Sequence, residues 1–158
     1  MLFRSQYALK VERLRIAVLN QGVLEQMDTP ELIYHMPASP FVADFVGQAD
    51  FIKGEIRDGM IHTELGEFPN TLPGTEGTAV VVMIRPDDIH LAPAKGAGAR
   101  IQARQFRGSE NLYTVSLPSG QIVHSSESST SVYQEGTAVE LHVLATHTVV
   151  FPAPSSPA

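Results

Sequence analysis

The spacing of apolar positions changes character along the chain. Residues 5–14 (SQYALKVERL) set Tyr7 or Ala8, Val11 and Leu14 three to four apart, the spacing of a weakly amphipathic helix. Ile16, Ala17, Val18 and Leu19 then form an unbroken apolar run, consistent with a strand buried on both faces. Asn20-Gln21-Gly22 signals a turn, and residues 23–27 (VLEQM) can return beside that strand as a hairpin. Two short helices are announced by their caps. Thr29 precedes Pro30 and Glu31, so a hydroxyl, a preset φ and a carboxylate all favour a helix start there. Ser39 and Pro40 repeat the device. Phe41, Val42, Phe45 and Val46 fall on one stripe, and Gly47 supplies a stop.

After Gly47 the period shortens to that of strands. Residues 50–68 (DFIKGEIRDGMIHTELGEF) read as short strands turning at Asp58-Gly59 and near Gly66. Residues 70–77 (NTLPGTEG) read as a loop. Residues 79–84 form a continuous apolar strand, halted at Arg85-Pro86-Asp87-Asp88 because Pro86 has no ladder donor. Residues 94–99 (AKGAGA) connect to a strand at 101–106, whose face parity slips before Arg107-Gly108 and predicts a bulge. Tyr113, Val115 and Leu117 point to one face, Pro118-Ser119-Gly120 turns into residues 121–124, Val139, Leu141 and Val143 alternate, and residues 148–151 form a last strand. Short strands with Gly turns at this spacing predict a small barrel.

Composition narrows the function classes. The 158 residues carry a net charge of −6 and only three lysines, which disfavours a duplex nucleic-acid binder or a polybasic membrane patch. With no Cys there are neither disulfides nor thiolate metal sites, in keeping with a cytoplasmic protein. No apolar run reaches the roughly 20 residues that span a bilayer, and charges interrupt the first 15 residues where a signal peptide would be apolar. Direct membrane insertion is therefore not expected. Nothing follows the phosphate-cradling pattern GxxxxGK[ST]; Gly54 and Gly59 have its glycine spacing but are followed by Met60 and Ile61.

Residues 15–47 resemble the stretch that closes the nucleotide-binding domain of ABC-transporter ATPases. The resemblance rests on Arg15-Ile16-Ala17-Val18-Leu19, Gly22, Gln26, Thr29-Pro30, Leu32-Ile33-Tyr34, Pro37, Ser39, Phe41-Val42-Ala43, Phe45-Val46 and Gly47. The downstream part resembles the TOBE domain of importer ATPases of the maltose, polyamine, sulfate and ferric-iron types. Its points of likeness are Ile84-Arg85-Pro86-Asp87-Asp88-Ile89 with Leu91, then Phe106-Arg107-Gly108, Val115, Leu117, Gly120 and Phe151. The family's switch His and the Asp ahead of the RIAVL strand are replaced by Arg4 and Leu14, so residues 1–14 are unmatched. An expression boundary, a tag remnant and a truncated gene with a new start all remain open as their origin.

The resemblance implies a mainly β fold: an OB-like TOBE barrel over 48–152, preceded in 1–47 by a short α/β remnant and helical linker, with 153–158 a frayed tail. It implies a regulatory and dimerisation domain of the cytoplasmic ATP-binding subunit of an importer, peripheral to the inner membrane. A second copy of the chain is the expected partner; permease subunits would be met through the absent ATPase domain. ATP and Mg would belong to the full-length parent, so no catalytic, cofactor-binding or metal-binding residue is expected here. Residues 41–52 (FVADFVGQADFI) lean toward iron or polyamine importers, although this segment does not touch cargo in the family. A different class of function is a module for a small oxyanion such as molybdate or sulfate. An oligonucleotide-binding barrel is a third, opposed by the acidic charge and the lack of an aromatic and basic strand face.

Candidate sites compete with structural readings. His35, His62, His90, His124, His142 and His147 lie apart, without the spacing of a metal-ligand pair, and His142 is expected to face solvent or a rim. Arg85, Asp87 and Asp88 either line an effector pocket or end a strand with an ion pair, and the structural reading is preferred. Arg104 and Arg107, with Arg100, either bind an anion or form a solvated face; the solvated face is preferred. Ser125–Ser131 is expected to be a polar loop. Ile16, Val18, Tyr34, Phe41 and Phe45 are expected at an interdomain or self-association surface, since a strand and an aromatic stripe lacking their covering layer tend to be buried by association.

Overall fold

The computed structural model describes residues 14–73, 76–96, 98–144 and 148–153. The helix expected over 5–14, His147 and nearly all of the expected tail therefore lie outside the described residues, Leu14 and Ala153 excepted. The chain divides into two compact units between Val46 and Gly47.

In the first unit, β1 (Ile16–Asn20) and β2 (Val23–Asp28) form an antiparallel hairpin. Gln21 and Gly22 turn it with φ of 48° and 83°, positive at both central positions as a tight hairpin turn of matching twist requires. The helices α1 (Pro30–His35) and α2 (Pro40–Val46) follow. Leu32 N–H donates to Thr29 Oγ1 at 3.4 Å and Val42 N–H to Ser39 Oγ at 3.3 Å, so both predicted caps are occupied. The expectation of a strand buried on both faces is not met. In β1 only Val18 is buried, against Ile33 and Val42, because the hairpin has no further strand beside it among the described residues. Gln26 fastens β2 to the segment between the helices: its Nε2 donates to Met36 O at 3.2 Å, and its Oε1 accepts from Ala38 N–H at 2.8 Å.

The second unit is built from two five-stranded antiparallel sheets. Its strands are β3 (Asp50–Arg57), β4 (Met60–Thr63), β5 (Gly66–Pro69), β6 (Ala79–Ile84), β7 (Ile89–Pro93), β8 (Ala99–Phe106), β9 (Glu110–Ser116), β10 (Ile122–Ser128), β11 (Ala138–Val143) and β12 (Val149–Pro152). One sheet runs β12-β6-β3-β4-β5 and the other β10-β9-β8-β11-β7. Between β6 and β7, Pro86–Asp88 make a single 3-10 turn. Ile52, Ile61, Val82 and Ile84 from the first sheet share one core with Ile101, Tyr113, Val115 and Val123 from the second. The fold is thus mainly β, as the alternation predicts. The predicted slip in β8 is a bulge: Ile101 pairs with Val115 and Ala103 with Thr114, leaving Gln102 over.

The polar loop expected over Ser125–Ser131 is half strand. Ser125–Ser128 belong to β10, and Ser125 is fully buried. The sequence misleads here because these hydroxyls and carboxylates serve the outer strands of the sheet. Ser125 Oγ donates to Ile89 O at 2.6 Å, Leu91 N–H donates to Glu127 Oε1 at 2.7 Å, and Tyr133 Oη donates to Leu91 O at 2.9 Å. Side chains thereby satisfy the β7 edge that no ladder pairs, and the sheet bends round upon itself.

Candidate functional site

Most polar side chains with defined geometry in the second unit join structure to structure. Arg85 ends β6 and is 3% exposed; its Nη1 donates to Gln48 O at 3.1 Å. Arg85 N–H donates to Asp88 Oδ2 at 3.3 Å, and Asp88 N–H to Arg85 O at 3.0 Å, closing the 3-10 turn. Asp87 alone of this trio is exposed. Arg85 is therefore withdrawn from solvent and bonded to the chain, as the preferred strand-ending reading has it. Arg104 and Arg107 lie elsewhere, on and just beyond the exposed end of β8.

The two sheets are clasped by groups whose pairing sequence reasoning did not find. Asp50, buried on β3, accepts from the backbone N–H of His124 on β10, and its Oδ1 lies 2.9 Å from His124 Nδ1. Burial raises the Asp50 carboxyl above its ordinary value, against the lowering effect of the bonds from His124. Gln121 Nε2 donates to Phe51 O at 2.8 Å, and Glu64 receives both the N–H of Ser119 (2.9 Å) and its hydroxyl. Among the described residues no hydroxyl bonds to His124. The only sequence signal was an Asp at the first position of an apolar strand. Its partner is 74 residues away.

Asn111, fully buried, sends Nδ2 toward the carbonyls of Ser129 at 3.2 Å and Ser131 at 3.1 Å. Tyr113 Oη donates to Ser131 O at 2.7 Å and accepts from Tyr133 N–H at 3.1 Å. A shallow cleft of about 370 Å³ on β3 and β4 is lined by Lys53, Glu55, Arg57, His62, Thr63 and Glu64. Arg57 and Glu55 face each other there at 2.8 Å, and the guanidinium holds the Glu55 carboxyl below its usual range. Their charges cancel locally, so the cleft has no single sign to offer an ionic ligand. His142 is exposed, and among the described residues no three His, Asp or Glu converge as a metal site would require.

In the first unit the aromatic stripe divides. Val42 and Val46 face the small core and Ala43 is buried, while Phe41 and Phe45 stack on each other outside the core with ring centroids 5.9 Å apart. Phe45 is 65% exposed, and Leu19, Val23, Leu24 and Met27 of the hairpin are also exposed. Ile16 is exposed and Tyr34 half-buried. Val18, by contrast, lies in the unit's own core, which removes it from the expected association surface.

Residues 82–151 match the TOBE domain family, spanning the end of β6 through most of β12. The chain is 34% identical to a spermidine/putrescine import ATP-binding protein PotA of Pseudomonas aeruginosa, over 80% of this chain and 40% of that relative. It is 36% identical to a sulfate/thiosulfate import ATP-binding protein CysA of Xanthomonas campestris, over 66% of this chain and 33% of the relative. A PotA of Borreliella afzelii is 43% identical over 53% of this chain and 24% of its own length. The chain thus matches the C-terminal TOBE region of ABC-importer ATP-binding subunits. It spans about a third of the length of the curated relatives it matches. No helix among the described residues is long and apolar enough to cross a membrane.

Proposed function

We propose that this chain acts as the regulatory and dimerisation part of an ABC importer's ATP-binding subunit, on the cytoplasmic face of the membrane. The observation that carries the reading is the similarity to a PotA over 80% of the chain, more than the second unit alone holds. Within that role the second unit is the TOBE module. The first unit presents the apolar face formed by Phe41, Phe45 and the exposed hairpin side chains, which favours a second copy as partner. ATP, Mg and permease contacts belong to the whole importer subunit; the cargo is a polyamine, sulfate or another small solute of the kind such relatives are named for. The chain alone hydrolyses no ATP, as it contains no GxxxxGK[ST] segment.

Size-exclusion chromatography with light scattering, run over a wide concentration range, tests the self-association. A dimer weakened by Phe45→Ser supports the reading, and a strict monomer at tens of micromolar overturns its dimerisation part. Phosphate release from ATP above background, in a clean preparation, overturns the statement about hydrolysis.

A further inference from the structure

The sheet β10-β9-β8-β11-β7 is incomplete along β8. The neighbour β11 pairs only with Ala99 and Arg100 of that strand. Ile101 then bonds to the loop ahead of β11, through Gly136 N–H to Ile101 O at 2.8 Å and Ile101 N–H to Thr137 O at 3.0 Å. From Gln102 to Phe106 no strand among the described residues lies on that side. All five of these residues are exposed, whereas Asn111, Leu112 and Tyr113, which pair with Phe106, Gln105 and Arg104 across the ladder, are buried. Among the described residues the sheet, buried at β9 and bare at β8, therefore stops one strand short.

Charge and apolar area coincide on this edge. Phe106 is 67% exposed, the highest value among the large apolar side chains of the described residues. Arg100, Arg104 and Arg107 follow the same strand and its turn. Arg100 Nη1 donates to Gly136 O and Arg107 Nε to Gln105 Oε1; Arg104 bonds to nothing among the described residues. Among the described residues no carboxylate meets any of the three, although the chain carries 17 Asp and Glu against 11 Lys and Arg. Edge arginines and the bulge at Gln102 are devices that protect an open strand from indiscriminate pairing. They do not account for a bare phenylalanine beside them.

We propose that β8 beyond Ile101 is a docking edge for an extended, acidic segment of another protein, which adds a strand to this sheet. The open backbone supplies the ladder, Phe106 an apolar anchor, and the three arginines select carboxylates in the partner. A second copy is the poorer occupant, because two such edges would bring arginines against arginines. This inference does not depend on the importer reading.

The test is nuclear magnetic resonance on the full ¹⁵N-labelled chain. The probe is a short acetylated, amidated peptide of alternating Val and Glu; the same peptide with Lys for Glu, and inorganic sulfate, are the comparisons. The acidic peptide is expected to shift the amides of Gln102–Phe106 and to give cross-strand contacts to them. The Arg104→Glu, Arg107→Glu double variant, exposed and outside the core, is expected to weaken binding by about tenfold or more. The proposal is overturned if the Lys peptide binds equally well, if the shifts map elsewhere or are absent at millimolar peptide, or if sulfate alone reproduces them. Concentration-dependent broadening of the same amides without peptide also overturns it, in favour of a second copy.

Discussion

Replacing Ser125 by Ala tests whether side chains close the curved sheet. Ser125 is fully buried and its hydroxyl donates to Ile89 O at 2.6 Å, across the line where β10 and β7 have no ladder. Alanine fits the same space with one oxygen fewer, so packing changes little. The carbonyl of Ile89, itself buried, is left facing a methyl group. A typical hydrogen bond contributes about 1 kcal/mol net, and a buried acceptor left unmet costs about 1–3 kcal/mol, which sets the expected loss at about 1–3 kcal/mol. Urea unfolding followed by far-ultraviolet circular dichroism and by tyrosine fluorescence reads it out; the chain has four Tyr and no Trp. The slope against urea should stay constant while the midpoint falls. Ser128→Ala is the control, since that hydroxyl bonds only to the exposed Thr130 and should change stability by less than about 0.5 kcal/mol. A loss for Ser125→Ala no greater than the control's would refute the seam as a source of stability. Combining it with Glu127→Gln, which weakens the neighbouring bond to Leu91 N–H, should give a non-additive loss.

Other predictions address the clasp, the packing and the caps. A Cβ added at Gly54 would sit 2.7 Å from Ile61 Cγ2 and 3.1 Å from the His62 carbonyl oxygen, so Gly54→Ala is expected to cost about 1–3 kcal/mol in the same urea assay. Because the Asp50 carboxyl is raised in the folded state, the unfolded chain releases that proton first. Stability then falls as pH rises from the ordinary value of 3.8 through the folded one. The Asp50→Asn variant should lose this component of the slope, as measured by denaturation at a series of pH values. Thr29→Ala removes the bond to Leu32 N–H and should cost the first unit about 1 kcal/mol, seen as faster amide exchange in α1 with the second unit unaffected. Phe45→Ser, at an exposed position, should weaken self-association without lowering the unfolding midpoint; an unchanged dimer would show that the stacked rings lie outside the interface.

Much of the local structure was legible because its causes are local. Thr29-Pro30 and Ser39-Pro40 start helices through hydroxyls three residues from the amides they accept, and Asp58-Gly59 turns a hairpin with φ of 50° and 74°. The apolar run 79–84 is a strand, and the parity slip in β8 is a bulge, since both follow from which residues face a core. The resemblance, carried by ordered motifs, pointed to the TOBE region that residues 82–151 match. The same pattern misled where polarity serves a distant partner: Ser125 and Glu127 read as a loop, yet they satisfy a strand edge 36 residues away.

Sequence alone therefore determined the mainly β class, the position of the turns and caps, and the family likeness, each set by neighbours within a few residues. Tertiary structure alone decided which polar groups are buried. Arg85 became a tether to Gln48 O, Asp50 a clasp to His124, and Val18 a core residue while Phe45 stayed outside. The physical reason is that period-two alternation says which residues share a face but not what covers it. Whether a face or an edge is covered depends on strands far away in the chain, and among the described residues the cover along β8 ends at Ile101.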